Sequence, residues 1–314
     1  MVNKKAKSWF SYELIKAKNN KLLLFMFSLG LFYYIIFHYI PMIGISIAFR
    51  NYKAGQSFFG GNWVGFKHFI DFFNDPYFFQ LLRNTMLINV YALVFGFPMP
   101  IIFALLLNEI GKKLFKKFVQ TISYLPHFIS TVIISGMVIN FLSSQTGIVN
   151  KILVILFDID PIPFMTRSQY FRGIYTITNI WKSIGWNSII YIAAIAGVDV
   201  SLYDAAKVDG VGRFGKMWHI TLPSIKPTII VLLILAIGHM MSVGAESIIL
   251  IYNPTIYETA DVISTYIYRR GLGVDGSPNY SFATAVGLFN SVVNFSLLYI
   301  TNWICRKYSD SSLW

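Results

Sequence analysis

Three glycines followed by a lysine have the spacing of two nucleotide-binding motifs. Gly210, Gly212 and Gly215 match the G-x-G-x-x-G pattern of dinucleotide-binding loops, and Lys216 brings the segment close to a phosphate-binding loop. Both motifs require a buried strand before the loop, whereas apolar stretches of membrane-spanning length stand on both sides of this one. Met217 also occupies the position where a phosphate-binding loop has Ser or Thr to ligate magnesium. We therefore interpret the segment as a turn and not as a nucleotide site.

A second group of polar and aromatic side chains lies inside long apolar stretches, where ionisable groups usually face a bundle interior or a wet cavity. Its members are candidates for a transport path: Asn179, Lys182, Trp186, Asn187, His239 and Glu246. Helical spacing places Asn179, Lys182 and Trp186 on one face, and it places His239 and Glu246, seven residues apart, on another. The alternative is structural, with Lys182 and Glu246 neutralising each other and the asparagines joining helices.

The other reactive residue types form no catalytic or metal-binding set. Cys305 is the only cysteine, which excludes an intrachain disulfide. The remaining histidines are scattered without metal-ligand spacing: His38, His68, His127 and His219. We expect no catalytic residues, no metal and no cofactor bound by this chain.

The elements that carry these residues are apolar enough to indicate a membrane protein. Of 314 residues, 55% are hydrophobic and 13% are charged, and the mean hydropathy is +0.58. Soluble domains carry about 25% charged residues. Six stretches are long enough to cross a bilayer as helices, namely residues 22–47, 86–107, 119–142, 174–198, 228–252 and 282–304. The sequence therefore predicts an all-α protein with six transmembrane helices over residues 22–304.

Lysine and arginine placement predicts the orientation of these helices. With a cytoplasmic N-terminus, sixteen of these residues fall in inside segments and nine in outside segments, while Lys182 lies within a span. The net charge of +12 is therefore interpreted as a topology signal and not as a nucleic-acid surface. We expect segment 1–21 and tail 305–314 to be cytoplasmic. The outside segments 51–80 and 253–279, rich in aromatic residues, Gly and Asn, are either a docking rim or passive loops.

The connection over residues 199–227 is long and partly helical by pattern. We expect Asp204 to open a short helix near the positive end of its dipole, with Ala205 and Ala206 leaving a flat surface for close approach. Gly210 and Gly212 permit a sharp turn. The chain then returns to the membrane through Ile220, Leu222 and Pro223, and Pro227 can start the next helix. Such a helix is suited to docking in a groove of another protein.

This connection resembles the EAA loop of ATP-binding-cassette (ABC) importer permeases, which reads Glu-Ala-Ala, Asp-Gly-Ala, Ile-x-Leu-Pro and a further Pro. Asp204 stands where the family usually has Glu, and Val211 where it usually has Ala. Other segments resemble the LplB type, a branch of the MalF-like carbohydrate permeases. They are Tyr39-Ile-Pro41 through Phe49-Arg50-Asn51-Tyr52, Asn62-Trp63-Val-Gly65-Phe66, Asp75-Pro76, Tyr124-Leu-Pro126-His127-Phe128-Ile-Ser130, Tyr252-Asn253-Pro254, Tyr257-Glu258-Thr259-Ala260-Asp261-Val262 and Ser312-Leu313-Trp314.

The resemblance implies a type I ABC importer (MetI-like) permease fold in a bacterial cell membrane. It implies a second related permease, separate ATPase subunits that bind ATP and magnesium, and a lipid-anchored or periplasmic solute-binding protein. It also implies that the cargo is a carbohydrate, more often an oligosaccharide than a monosaccharide. The ATPase-coupling residues it carries over are Asp204, Ala205, Ala206, Asp209, Gly210, Leu222 and Pro223. Asn179 and Trp186 occupy positions similar to sugar-contacting positions of the maltose-importer permease.

Two other functions remain open at this point. An ion-coupled secondary transporter would explain Glu246 and His239 but leaves the pattern from Asp204 to Pro227 without a role. An intramembrane enzyme would require a nucleophile with a base or a metal triad, and no such grouping is indicated.

Overall fold

The computed structural model describes residues 21–274, 276–308 and 312–313. Regular structure in these ranges is helical, with one isolated bridge between Arg50 and Trp63. The all-α prediction is therefore confirmed. Residues 1–20 of the predicted cytoplasmic segment, and residues 309–311 and 314 of the predicted tail, lie outside the described residues.

The helices alternate between long apolar elements and short connecting ones. In chain order they are α1 (Lys21–Phe49), α2 (Lys67–Phe73), α3 (Phe78–Asn108), α4 (Lys113–Phe128), α5 (Thr131–Phe141), α6 (Ile148–Phe157), α7 (Ser168–Ala196), α8 (Val200–Val208), α9 (Arg213–Ser224), α10 (Lys226–Gly238), α11 (Ala245–Ile249), α12 (Tyr257–Ala260), α13 (Ile263–Leu272) and α14 (Tyr280–Tyr308). By length and composition α1, α3 and α14 can each cross a membrane. The bent pairs α4–α5, α7–α8 and α9–α10 bring the candidate spans to six, as predicted.

Prolines widen the long helices locally instead of ending them. A π-helical turn ends two residues before Pro41, before Pro98 and before Pro223. Proline lacks an N–H, and its ring clashes with the carbonyl four residues earlier. A wider turn moves that carbonyl aside, so the helix continues past the proline.

The third predicted span is not one straight helix. Its two parts, α4 and α5, meet at an angle of 98°. Pro126 lies in a 3₁₀ turn that ends α4, and the Ser130 side chain then caps α5 by accepting from the Ile133 N–H at 3.3 Å. The predicted span over residues 119–142 is therefore a bent pair of helices, because this cap starts a new helix inside it.

The fifth predicted span, over residues 228–252, is also interrupted. Helix α10 ends at Gly238, residues 239–244 are not helical, and α11 begins at Ala245. A Cβ added at Gly238 would lie 2.7 Å from Leu298, so the glycine lets α10 approach α14 closely where it ends. His239 and Glu246 therefore do not share a helical face, and that prediction was wrong.

Two buried clusters define the two ends of the bundle. At one end, Ile101 of α3 packs with Tyr191 and Ile195 of α7 and with Ile225 before α10. We call this the coupling end, since it carries residues 199–225. At the other, Leu81 of α3 packs with Phe72, Met241, Ile263, Tyr266, Phe282 and Val286. We call it the rim end, since segments 51–80 and 253–279 gather there.

Candidate coupling loop and transport cavity

The helix of the coupling end begins earlier than predicted. Helix α8 starts at Val200, and the Asp199 carboxylate caps it by accepting from the Ser201 N–H at 2.9 Å. That hydrogen bond lowers the pKa of Asp199, which keeps the cap charged. Asp204 lies in the middle of α8 on its exposed side, so its predicted role in opening the helix was wrong.

The end of α8 is a left-handed turn at Gly210. Its φ is 73°, the Val211 N–H donates to the Ala206 carbonyl at 2.8 Å, and the Gly210 N–H donates to the Lys207 carbonyl at 3.2 Å. These two bonds form a Schellman motif, for which glycine is the usual residue. The positive φ expected here is present, whereas Gly212 has an ordinary φ of −70° and is not needed for the turn.

The two alanines of α8 point in different directions. Ala205 is exposed, whereas Ala206 is buried within this chain. The prediction that both alanines form a flat exposed surface was therefore wrong for Ala206. The Tyr203 hydroxyl lies 2.9 Å from the Thr221 Oγ1, which ties α8 to α9.

The remaining predicted coupling residues occupy both faces of the loop. Asp209 is exposed at the end of α8, and Pro223 is exposed near the end of α9. Leu222 packs against the buried cluster of the coupling end, so it anchors the loop to the bundle. Pro227 stands in the first turn of α10, as predicted.

Sequence reasoning missed the apolar residues that this loop exposes. Val208 is 88% exposed and Phe214 is 80% exposed, and the same surface end carries exposed Val200, Leu202 and Trp218. Contiguous exposed apolar groups rimmed by charge mark interaction sites. The available signal was the presence of these residues in an otherwise charged connection.

A cavity of about 470 Å³ lies between α3, α7, α10 and the non-helical segment 239–244. Its polar lining includes Asn89, Asn179, Asn187, His239 and Ser242. Three of these are residues that the sequence analysis placed on a transport path. The structure thus brings Asn179, Asn187 and His239 together around one space.

Lys182 and Glu246 line a smaller cavity of about 120 Å³, which Asn179 also borders. The Lys182 ammonium donates to the Thr131 hydroxyl at 2.9 Å, and no ion pair joins it to Glu246. The structure therefore does not support the alternative in which Lys182 and Glu246 neutralise each other as an ion pair.

Trp186 lies outside both cavities. Its ring stacks on His127 with centroids 4.4 Å apart and planes within 1°, and Phe128 meets it edge-on at 5.5 Å. The Trp186 side chain is 41% exposed, so this aromatic group presents an open face. It lies on the same face of α7 as Asn179, about two turns further along the helix, as the spacing predicted.

Asn294 is a further residue that sequence reasoning missed. Its side-chain carbonyl accepts from the Met241 N–H at 2.8 Å, and its amide donates to the Ser242 hydroxyl at 2.8 Å. The Ser264 hydroxyl donates to the Val243 carbonyl at 2.8 Å. These bonds satisfy backbone groups that the broken span would otherwise leave unpaired. An amide inside an apolar stretch was the available signal.

The rim end is held by buried polar groups from distant parts of the chain. Asp261 and Arg269 form a two-fold ion pair at 2.7 Å, with both side chains buried. The Asn84 amide donates to the Asp261 carbonyl at 2.9 Å and accepts from Arg172 at 2.9 Å. These contacts join helices α3, α7 and α13 at one level.

Tyrosine 266 adds a second link between the two rim segments. Burial, together with the neighbouring carboxylate, raises the pKa of Tyr266, so its hydroxyl stays protonated and donates to Asp75. The Tyr52 N–H also donates to the Ser281 hydroxyl at 2.9 Å. Segments 51–80 and 253–279 therefore form one connected platform.

Nucleotide and metal chemistry find no support at these sites. Helix α8 precedes Gly210, and α9 begins at Arg213. Both nucleotide motifs instead need a strand immediately before the glycine-rich loop. Among the described residues, no group of three or more His, Cys, Asp or Glu side chains could hold a metal ion.

Comparisons with known proteins agree on the class of this fold. The family profile described as binding-protein-dependent transport system inner membrane component matches residues 96–310. Protein LplB of Bacillus subtilis is 44% identical over 296 residues, which cover 94% of this chain and 92% of that protein. The polygalacturonan/rhamnogalacturonan transport system permease protein YteP of the same organism is 43% identical over 301 residues, covering 96% and 92%.

Solved structures extend the likeness to three dimensions. A chain from a bacterial alginate ABC transporter, crystallised in complex with an alginate pentasaccharide-bound periplasmic protein, superposes with a TM-score of 0.85 at 44% identity. The match covers 95% of this chain and 98% of that one. A chain from a bacterial ABC transporter involved in the import of the acidic polysaccharide alginate gives 0.84 at 45% identity, covering 94% and 98%.

Proposed function

This chain belongs to the binding-protein-dependent transport system inner membrane components, the permease subunits of ABC importers, and we propose that its cargo is an oligosaccharide. The fold is the type I (MetI-like) permease fold, and the subunit itself is not an ATPase. Family membership excludes the ion-coupled secondary transporter and the intramembrane enzyme. The cargo proposal is supported by the relatives named for polygalacturonan and alginate transport.

The partners we propose are a second, homologous permease, a pair of ATPase subunits and a solute-binding protein. ATP and magnesium are bound by the ATPase subunits, and this chain contributes no nucleotide site. The binding protein would dock on the platform formed by segments 51–80 and 253–279, which hydrogen bonds such as that from Tyr266 to Asp75 hold together. Membrane lipid surrounds the exposed apolar helices, and nucleic acid is not a partner.

The observation that carries the coupling proposal is the position of α8 in the chain. Only three residues separate α8 from α7, whose side chains line the cavity on one side. The bond from Tyr203 to Thr221 ties α8 to α9, which leads directly into α10 on the other side of the cavity. A movement of α8 therefore acts on two cavity walls at once.

Coupling by this route gives an alternating-access mechanism. ATP closes the ATPase dimer, α8 follows the subunit in which it is docked, and α7 and α10 change the side to which the cavity opens. Asp204, Ala205 and the exposed Val208 would contact the ATPase, with Gly210 setting the direction in which the chain leaves. Ala206 and Leu222 would hold the loop on the bundle.

The larger cavity has the size and lining that a sugar site needs. Ligand sites commonly have volumes of about 300–1,000 Å³ and contain a few convergent polar groups on an apolar wall. Asn179, Asn187 and His239 would bind sugar hydroxyls, with Lys182 and Glu246 in the adjoining space. Trp186, on its exposed face, would meet the cargo where the wall of this subunit joins that of the second permease.

The protein is a multi-pass permease of the inner membrane, and we propose that both termini are cytoplasmic. The lysine and arginine bias supports this orientation. So does the fold, since the basic connections 109–117 and 199–226 start from the same end of the bundle.

Reconstitution of the complete transporter tests the proposal. The chain, purified with its neighbouring permease, ATPase and binding protein, should import labelled oligosaccharide into ATP-loaded vesicles. A screen of the binding protein against oligogalacturonates, alginate oligosaccharides and neutral oligosaccharides should identify the cargo. Import of a non-carbohydrate solute alone would contradict the cargo proposal, whereas ATP hydrolysis by this chain alone would contradict the division between subunits.

A further inference from the structure

Helix α4 presents two opposed surfaces where it leaves the coupling end. Successive helical residues are rotated by about 100°, which puts Lys113, Lys116 and Lys117 on one arc. Leu114 and Phe118 fall on the opposite arc, together with Ile122. Leu114 is 85% exposed, Phe118 is 61% exposed and Ile122 is 53% exposed. One side of the helix is thus basic, and the other is apolar and uncovered by this chain.

The lysines have no structural role within the described part of the chain. None of the three forms an ion pair there. Lysines in a first turn also oppose the helix dipole, so they do not stabilise α4 itself. A topology signal requires positive charge but does not require that the charges share one arc. Their arrangement therefore points to an external ligand with negative charge.

The position of α4 specifies where that ligand lies. Ile101 packs at the coupling end, so the connection after α3 and the start of α4 are at that end. The later part of α4 reaches the bundle, since a Cβ on Gly185 would lie 2.2 Å from the Ser123 carbonyl oxygen. The lysines are thus at the outer end of an amphipathic helix that enters the bundle, which is where the headgroups of a surrounding bilayer would lie.

We propose that the basic arc of α4 binds the phosphate of anionic phospholipids while the apolar arc lies among the acyl chains. A helix with lysines on one face and Phe and Leu on the other lies in the membrane interface. Ammonium groups near an anionic leaflet each contribute to binding, and the compact headgroup phosphate fits between neighbouring lysines. The occupant is a lipid, because the apolar arc would have no partner if the lysines bound a soluble anion.

Lipid retention by the intact transporter tests this site. The complete complex is placed in nanodiscs of phosphatidylcholine with phosphatidylglycerol, released, and examined by native mass spectrometry. The variant Lys113→Gln/Lys116→Gln/Lys117→Gln should bind phosphatidylglycerol on the order of 100-fold more weakly than wild type, given the contribution per lysine near a surface. The charge-matched control Lys53→Gln/Lys67→Gln/Lys151→Gln, away from α4, should retain it.

Two further variants separate charge from apolar seating. Arginine at the three α4 positions should retain phosphatidylglycerol, whereas Leu114→Ser/Phe118→Ser should lose it although every lysine remains. Equal retention by wild type and the glutamine variant would overturn the proposal. So would loss of the ATPase or of the second permease from the glutamine variant with phosphatidylglycerol retained, because the lysines would then serve a protein partner.

Discussion

The coupling end and the rim end of this permease are held together by different kinds of contact. At the coupling end, α8 is fixed by bonds between near neighbours, such as Asp199 with Ser201 and Val211 with Ala206. At the rim end, Asn84 bonds to a carbonyl 177 residues away at Asp261, which in turn pairs with Arg269 in the protein interior. The first region is local and the second is assembled from distant segments.

Both ends expose apolar groups, but only the rim end holds a buried ion pair among the described residues. Val208 and Phe214 are exposed at the coupling end, as Phe59 and Trp63 are at the rim end, whereas Asp261 and Arg269 are buried. Exposed apolar groups mark interaction sites, and breaking a buried ion pair is costly. We therefore expect substitutions in the buried contacts of the rim end to reduce stability, and substitutions on the exposed face of the coupling end to disconnect the permease from its ATPase while leaving it folded.

The largest effect on stability is expected for Asp261→Asn. This change removes the buried carboxylate that pairs with Arg269 at 2.7 Å, which should lower the free energy of unfolding by about 3–5 kcal/mol. The measurement is thermal unfolding of the purified protein, together with its abundance in membranes. The double variant Asp261→Leu/Arg269→Met should recover part of the loss, because it replaces both buried charges with apolar side chains. Wild-type stability of Asp261→Asn would show that the rim end does not depend on this pair.

The next effect is expected for Asn294→Leu at the break between α10 and α11. Met241 is buried, so its N–H would lose its acceptor inside the protein at a cost of about 1–3 kcal/mol. Because the break lines the cavity, the substrate concentration that gives half-maximal uptake should also rise. Asn290→Leu, one turn earlier, is the matched control, since the Asn290 Oδ1 has no hydrogen-bond partner among the described residues. Equal effects from both variants would deny Asn294 a role in positioning the cavity wall.

Gly210→Arg should separate stability from coupling. A side chain at φ 73° costs about 1–2 kcal/mol of local strain, although no described residue other than its chain neighbours lies within 4 Å of the new Cβ. The variant should insert in the membrane, yet stimulation of ATP hydrolysis by the loaded binding protein should vanish with uptake. Gly212→Arg, at an ordinary φ, should retain more of both activities. Normal stimulation in Gly210→Arg would remove α8 from the coupling path.

The two alanines of α8 give a finer version of the same comparison. Ala206→Asp places a charge in a buried position and should lower the thermal stability of the protein. Ala205→Asp places it on the exposed face, where it should leave unfolding unchanged and weaken only the association with the ATPase. Co-purification of the ATPase with each variant is the measurement. Identical behaviour of the two variants would contradict the opposite facing of these residues.

The same contrast explains how much the sequence alone could predict. The spans, the loop and the turn at Gly210 follow from hydropathy and from residues within one or two turns of each other. The start of α8 was misplaced because the cap is Asp199, five residues before the Asp204 of the motif. The break at 239–244 could not be predicted, because the group that satisfies it, Asn294, is 53 residues away from Met241. Buried charge pairs such as Asp261–Arg269 likewise depend on tertiary packing.

A small effect on stability is expected for Trp186→Ala. The ring loses its stack on His127, an aromatic contact that contributes about 0.5–1.5 kcal/mol beyond its buried area, and part of its surface is already open. If this ring meets the sugar, uptake should fall while the complex with the second permease and the ATPase stays intact. Trp181→Ala is the matched control, since Trp181 is a similarly exposed tryptophan on the same helix. If Trp186→Ala loses the second permease and Trp181→Ala does not, the His127–Trp186 stack is a contact between subunits. Wild-type uptake by Trp186→Ala would show that Trp186 does not contact the sugar.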